Sequence, residues 1–355
     1  MRHEKALVIG EQELGPYEMY FSRALASCGF DSQYVNIHTL YPEAWKKASN
    51  YFHRLPRKFD NSLRESYVSK VNAGLTALYN SEKPSHIFIY NDCLISPETI
   101  VRMRKNGTKV ITLLGDDPCC LLPGKKTFLL TVLASDFVIV PDSGWIEGLK
   151  LLGARNLIFS PIGTDASVFH PLQPGSNDLS EYGSDIIFFG TGYYLNAWGI
   201  KRAEVLNSLS GLNFKLFGDS QWLEVLEYYP GLKRHFRNKR LSANEVNVAC
   251  NCAKIYPVTV NSGVVNGVST RVFDCIASGI FVIAEYKQDF HTLFPDGEVA
   301  LFRNKKELRE LAEYYLKNER ERQEMLKRAR ERVLSSYTLD KLLPPVLEKI
   351  QSAPV

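Results

Sequence analysis

No apolar run in this 355-residue chain approaches the roughly 20 residues needed to cross a bilayer. The opening residues, MRHEKALVIG, have no apolar signal core and read as a first strand, so a cytoplasmic protein is expected. Paired cysteine spacing is missing too. Seven cysteines are scattered, Cys119 and Cys120 are adjacent, and Cys250-x-Cys252 is too tight for the usual zinc pattern. Buried, reduced thiols are the expectation. The charge balance of +4 permits an acidic ligand without asking for nucleic acid. No solenoid repeat is visible. What is present, 45% hydrophobic and 23% charged, is the composition of a globular protein with room for two domains.

Short apolar runs alternate with helical periods, which predicts a doubly wound α/β fold. Ala6 to Gly10 reads as a buried strand, Tyr17 to Cys28 as a helix and Ser32 to Ile37 as a second strand. Their loop, GEQELG, lacks the G-x-G-x-x-G dinucleotide fingerprint. Gly10 and Gly15 either let the backbone approach an acceptor or form a plain turn. Strands follow at 86–91, 109–114, 136–140 and 157–160, with helices at 63–78, 97–105, 128–134 and 146–152. The fourth strand runs into Gly115-Asp116-Asp117-Pro118, at the sheet edge where open α/β sheets bind ligands. Asp116 and Asp117 either hold hydroxyls or act as a base there, or they make an Asx-type turn.

The Pro-, Gly- and Ser-rich stretch 161–184 reads as an interdomain linker. Domains are therefore expected at 1–165 and 185–338, joined by a linker at 166–184, with the closing helix 339–355 returning to the first domain. The second half repeats the grammar. A strand at 185–189 enters Gly190-Thr191-Gly192-Tyr193-Tyr194, a helix covers 202–209, and strands cover 214–217 and 253–260. Residues 305–336 read as one long charged helical stretch. HRLPRKFD and KRHFRNKR read as solvated surface, with RNA (for the first) or an acidic membrane as the alternative.

The stretch VVNGVSTRVFDCIASGIFVIA, 264–284, concentrates the chemistry. A polar loop leads into a helix that carries Arg271 and Asp274 one turn apart, then a stop at Gly279 and a buried strand. Helix N-terminus and guanidinium together make an anion site. The alternative is an ordinary α/β unit with a surface ion pair.

Two such domains would face each other across a cleft. In order and spacing the segments resemble the GT-B glycosyltransferases, and within them the spore-maturation CgeB-like branch of the family-4-type enzymes. The segments that carry this are GDDP, PIGTDASVFHP, VSTRVFDCIASGIFVIAE, DFHTLFPDGEVALFRNKKELRELAEYYL and SSYTLDKLL. The resemblance implies a nucleotide-diphosphate sugar on the second domain and a glycan, lipid-linked or protein acceptor on the first. It also implies retention of configuration and no metal or other cofactor. Asp274 stands where the family has the second Glu of E-x7-E, the ribose ligand, and Asn266 where it has the first. Arg271 is the diphosphate candidate, supported by Gly190, Thr191, Gly192, Lys201 and Arg202. Asp116, Asp117 and Arg271 are the catalytic candidates. Glu298 matches a family Glu without a role, the family's catalytic His has no match, and His86 reads as structural. Two other functions stay open, a sugar-nucleotide epimerase and a non-catalytic binding protein.

Overall fold

The computed structural model describes residues 4–10, 17–40, 57–91, 94–119 and 126–353. The chain forms two compact units, Met1–Ser160 with Leu343–Val355, and Pro161–Leu342.

The first unit is built on six parallel strands: β1 Lys5–Gly10, β2 Asp31–Asn36, β3 His86–Tyr90, β4 Lys109–Leu113, β5 Phe137–Val140 and β6 Leu157–Phe159. They lie in the order β2-β1-β3-β4-β5-β6. Both faces of the sheet are covered, and its central strands are accordingly continuous apolar runs. Leu7, Ile9, Ile87, Ile89 and Val110 pack with Val71 and Leu75 of the Arg57–Glu82 helix. The Pro97–Lys105 helix shows how locally its ends are specified. Ser96 caps it by accepting from Thr99 N, Pro97 opens it, and Arg102, Arg104 and Lys105 fill its last turn. The closing helix, Leu339–Ser352, docks here through Lys109 Nζ, which donates to Ile350 O at 2.8 Å.

The second unit has six parallel strands as well: β7 Ser184–Phe189, β8 Phe214–Gly218, β9 Phe236–Asn238, β10 Ala253–Val258, β11 Phe281–Glu285 and β12 Ala300–Phe302. Their order is β12-β11-β10-β7-β8-β9. The winding reverses between β7 and β10, and such a switch point is where open sheets bind ligands. Inside, Tyr256 stacks on Phe188 with centroids 5.7 Å apart, and Trp222 meets Phe188 edge-on.

Two expectations are corrected and one is extended. The segment 166–184 is not a bare linker, because it carries the Ser176–Tyr182 helix, whose Tyr182 is buried against Phe217 at 5.4 Å. KRHFRNKR, read as solvated surface, contains no buried residue, and Phe236 within it also starts the edge strand β9. Residues 305–336 form two helices, Lys305–Lys317 and Glu319–Ser336, since Asn318 leaves helical geometry at φ −102°, ψ 68°. Among the described residues no helix is long and apolar enough to cross a membrane. Cys250, Cys252 and Cys275 are buried free thiols.

Candidate functional site

The Thr270–Ser278 helix follows the loop after β10. Ser269 caps it by accepting from Arg271 N, and Gly279 ends it in a left-handed conformation at φ 95°. Every residue from Val272 to Ser278 is buried, and Arg330 Nε donates to Ala277 O at 3.1 Å. The helix is therefore a fixed platform, and only its first turn reaches solvent. There the Arg271 side chain is 40% exposed. Its guanidinium lies 5.6 Å from the ring of Phe189, the last residue of β7, and Nη1 meets Asp274 Oδ2 at 3.3 Å. So the pairing expected from their spacing is present.

Asp274, the expected ribose ligand, is buried and already paired within the unit. Its side chain is 7% exposed, and its other oxygen accepts from Thr164 Oγ1 at 2.8 Å. The carboxylate is one methylene shorter than Glu and stays on the buried face of the helix. Burial lifts its pKa to about 6, against the opposing pull of Arg271 and Thr164.

The remaining donor-side candidates are committed elsewhere. Lys201 Nζ donates to Val260 O at 2.9 Å and to Glu285 Oε1 at 2.6 Å. Arg202 donates to Thr191 O at 2.7 Å, to Thr259 Oγ1 at 3.1 Å and to Thr259 O at 3.2 Å. Both are anchored within the unit, and the Lys201 side chain is still 36% exposed. Two of the three amides expected to cradle phosphate are also taken: Gly190 N donates to Phe217 O and Gly192 N to Asp219 Oδ1. Glycine is required at 192 by close approach, since a Cβ would stand 2.3 Å from Trp222 N. Asn266 holds the loop through its carbonyl, which accepts from Asp289 N at 3.0 Å. Glu298 gains a role that the sequence did not supply. It is buried, and it accepts from Arg332 Nε at 2.8 Å and Asp296 N at 3.0 Å, tying its loop to the Glu319–Ser336 helix.

In the first unit, Gly115-Asp116-Asp117-Pro118 realises the turn alternative. Asn91, at φ 49°, accepts from Gly115 N and Asp116 N and donates to Asp116 Oδ2 at 2.7 Å. Asp117 Oδ1 accepts from Cys119 N at 2.8 Å. Asp116 remains exposed. Gly10 is explained by packing, since a Cβ there would stand 2.2 Å from the buried Glu18. Gly15 and the rest of GEQELG after Gly10 lie outside the described residues. His86 is buried beside Ser85, and burial lowers its pKa, in keeping with a structural residue. The partners that sequence reasoning missed are Asn91, Thr164, Asp219 and Thr259. Only Asn91 left a trace, as an Asn just past a strand, where left-handed turns favour it. Among the described residues no three His, Cys, Asp or Glu side chains gather to hold a metal ion.

No curated protein matches the chain. Residues 201–347 match a family model described as glycosyl transferase-like. A sucrose-phosphate synthase from Thermosynechococcus elongatus is similar over 99% of this chain and 100% of its own, at TM-score 0.68 and 14% identity. Anabaena HepE, in complex with UDP-glucose, is similar over 99% and 100%, at TM-score 0.64 and 12% identity. A putative UDP-N-acetylglucosamine 2-epimerase from Listeria monocytogenes is similar over 99% and 97%, at TM-score 0.60 and 14% identity. The fold is GT-B, and the chain is glycosyl transferase-like across most of the unit that carries Arg271.

Proposed function

We propose that this protein is a glycosyltransferase that binds a nucleotide-diphosphate sugar on its second unit and moves the sugar to a glycan, lipid-linked or protein acceptor. The observation that carries the reading is Arg271, whose side chain is 40% exposed on the first turn of a buried helix, beside the last residue of β7. Breaking a sugar–phosphate bond leaves charge on the departing diphosphate. A positioned guanidinium and a helix N-terminus stabilise that charge as it develops. Lys201 and Arg202 act behind this front, by fixing the loops around it.

Retention of configuration, independence of metal and the CgeB-like branch belong to the same proposal and rest on the family resemblance. So does a cytoplasmic place of work. In this reading Arg271 and the helix do what a cation would do in a metal-dependent transferase. The epimerase alternative shares the fold, and the product separates the two.

The test is incubation with UDP-, GDP- and ADP-sugars, with and without a mixed glycan acceptor, in buffer containing EDTA. Acceptor-dependent release of a nucleoside diphosphate, with the sugar recovered on the acceptor, supports the proposal. A changed sugar configuration without acceptor would make the protein an epimerase. Binding without either product would make it a sugar-nucleotide-binding protein. Loss of turnover in EDTA, restored by manganese or magnesium, would overturn metal independence.

A further inference from the structure

Tyr193 and Tyr194 are consecutive non-glycine residues in the left-handed region, at φ 62° and 56°. Such backbone is unfavourable for both, and it persists only where the surroundings impose it. Arg202 lies against this loop. All three of its guanidinium nitrogens donate: Nη1 to Thr191 O at 2.7 Å, Nε to Thr259 Oγ1 at 3.1 Å and Nη2 to Thr259 O at 3.2 Å. The rings of Tyr193 and Phe188 also lie against it, at 4.4 and 5.5 Å. Thr191 belongs to the loop after β7 and Thr259 to the loop after β10, so one side chain joins the two loops that flank the switch point.

We infer that Arg202 is a positioning residue, which holds the Gly190–Tyr194 loop in its left-handed form and leaves the donor phosphates to Arg271. This rests on the proposed nucleotide-sugar site. The two arginines differ in what they have spent. Arg271 makes one side-chain hydrogen bond, at 3.3 Å, whereas Arg202 makes three and stacks on two rings. A second contact supports the loop. The ring of Trp198 meets Tyr193 edge-on at 5.6 Å, and its Nε1 donates to Ser262 Oγ at 2.5 Å. Lysine at 202 would keep the charge but could not reproduce the fork or the stacking.

The test compares full-length wild type, Arg202→Lys, Tyr193→Gly and the double variant. Amide hydrogen exchange without ligand comes first. Arg202→Lys should speed exchange of residues 190–194 at least tenfold and leave β1–β6 unchanged. Calorimetry follows with whichever of UDP-, GDP- or ADP-glucose the wild type binds. Affinity should fall at least tenfold in Arg202→Lys and return in part in the double variant, because glycine adopts positive φ freely. If Arg202→Lys does not fold, Thr259→Val, which removes one acceptor, should shift both measurements in the same direction by a smaller factor. Unchanged exchange overturns the inference, and so does wild-type affinity in Arg202→Lys, which would make Arg202 a charge ligand. If the wild type binds none of the three, the proposed donor site fails, and the exchange comparison still decides whether Arg202 holds the loop.

Discussion

The turn after β4 in the first unit and the loops after β7 and β10 in the second all present polar residues at the carboxyl edge of a parallel sheet. In the first, the polarity is consumed locally. Asn91 bonds to Gly115 and Asp116, and Asp117 bonds to Cys119, which closes the turn upon itself. In the second, Lys201 and Arg202 are each held by two or more hydrogen bonds, whereas Arg271 has one side-chain partner, Asp274, at 3.3 Å. A polar turn at the right edge is therefore not yet a site. What marks the candidate site is a charge fixed by its platform and held by few hydrogen bonds of its own.

The largest effect should separate a glycine of the loop after β7 from one on an open helix face of the first unit. Gly192→Ala would put a Cβ 2.3 Å from Trp222 N and 2.6 Å from Gln221 C, both backbone atoms with little room to retreat. A loss of about 3 kcal/mol is expected. Gly148→Ala, in the Ser143–Leu151 helix of the first unit, meets nothing within 4 Å and should gain about 0.5–1 kcal/mol. Denaturant melts that find the two substitutions equivalent would break the comparison.

The next effect comes from Asp274, whose buried carboxyl titrates near 6 rather than at its usual 3.8. Between those values the folded state holds the proton and the unfolded chain does not. Stability from this group therefore falls as pH rises from about 4 to about 6, and Asp274→Asn should flatten that slope. Protonation also removes the counter-charge of Arg271. Affinity for a nucleotide sugar should thus rise roughly fivefold, about 1 kcal/mol, as pH drops from 7.5 to 5.5. Asp274→Asn should bind with the low-pH affinity throughout. A pH dependence that survives in the variant would place the titrating group elsewhere.

The smallest effect belongs to the first unit. Asp116→Ala loses one bond from Asn91 on an exposed side chain and should cost about 0.5 kcal/mol, with nucleotide affinity and turnover unchanged. A hundredfold fall in turnover with the fold intact would make Asp116 catalytic and reverse the contrast between the two edges.

Most of the fold was legible because buried parallel strands are apolar runs: β1, β3, β4, β5, β7 and β11 stand out as ALVIG, HIFIYN, KVITLL, DFVIV, DIIFF and IFVIA. The edges were not. β9 has a single apolar residue, Phe236, among cations, and β12 is three residues long. The Ala243–Asn251 helix was missed although Ser242 and Glu245 form its capping box. At the site, Arg271 and Asp274 were legible as a pair because helical spacing places them together. Their tertiary partners were not: Thr164 lies 110 residues from Asp274, and Thr259 lies 57 from Arg202. Adjacent Lys201 and Arg202 resembled phosphate ligands for the same reason, since nothing local reveals what each is bonded to.

The central claim is that Arg271 is the group that meets the donor phosphates, and calorimetry on Arg271→Ala with a nucleoside diphosphate that binds the wild type tests it most directly. Losing a charge-assisted contact of about 1.5–3 kcal/mol should weaken binding roughly ten- to a hundredfold, with the thermal melt little changed. Unchanged affinity in a folded variant would contradict the account.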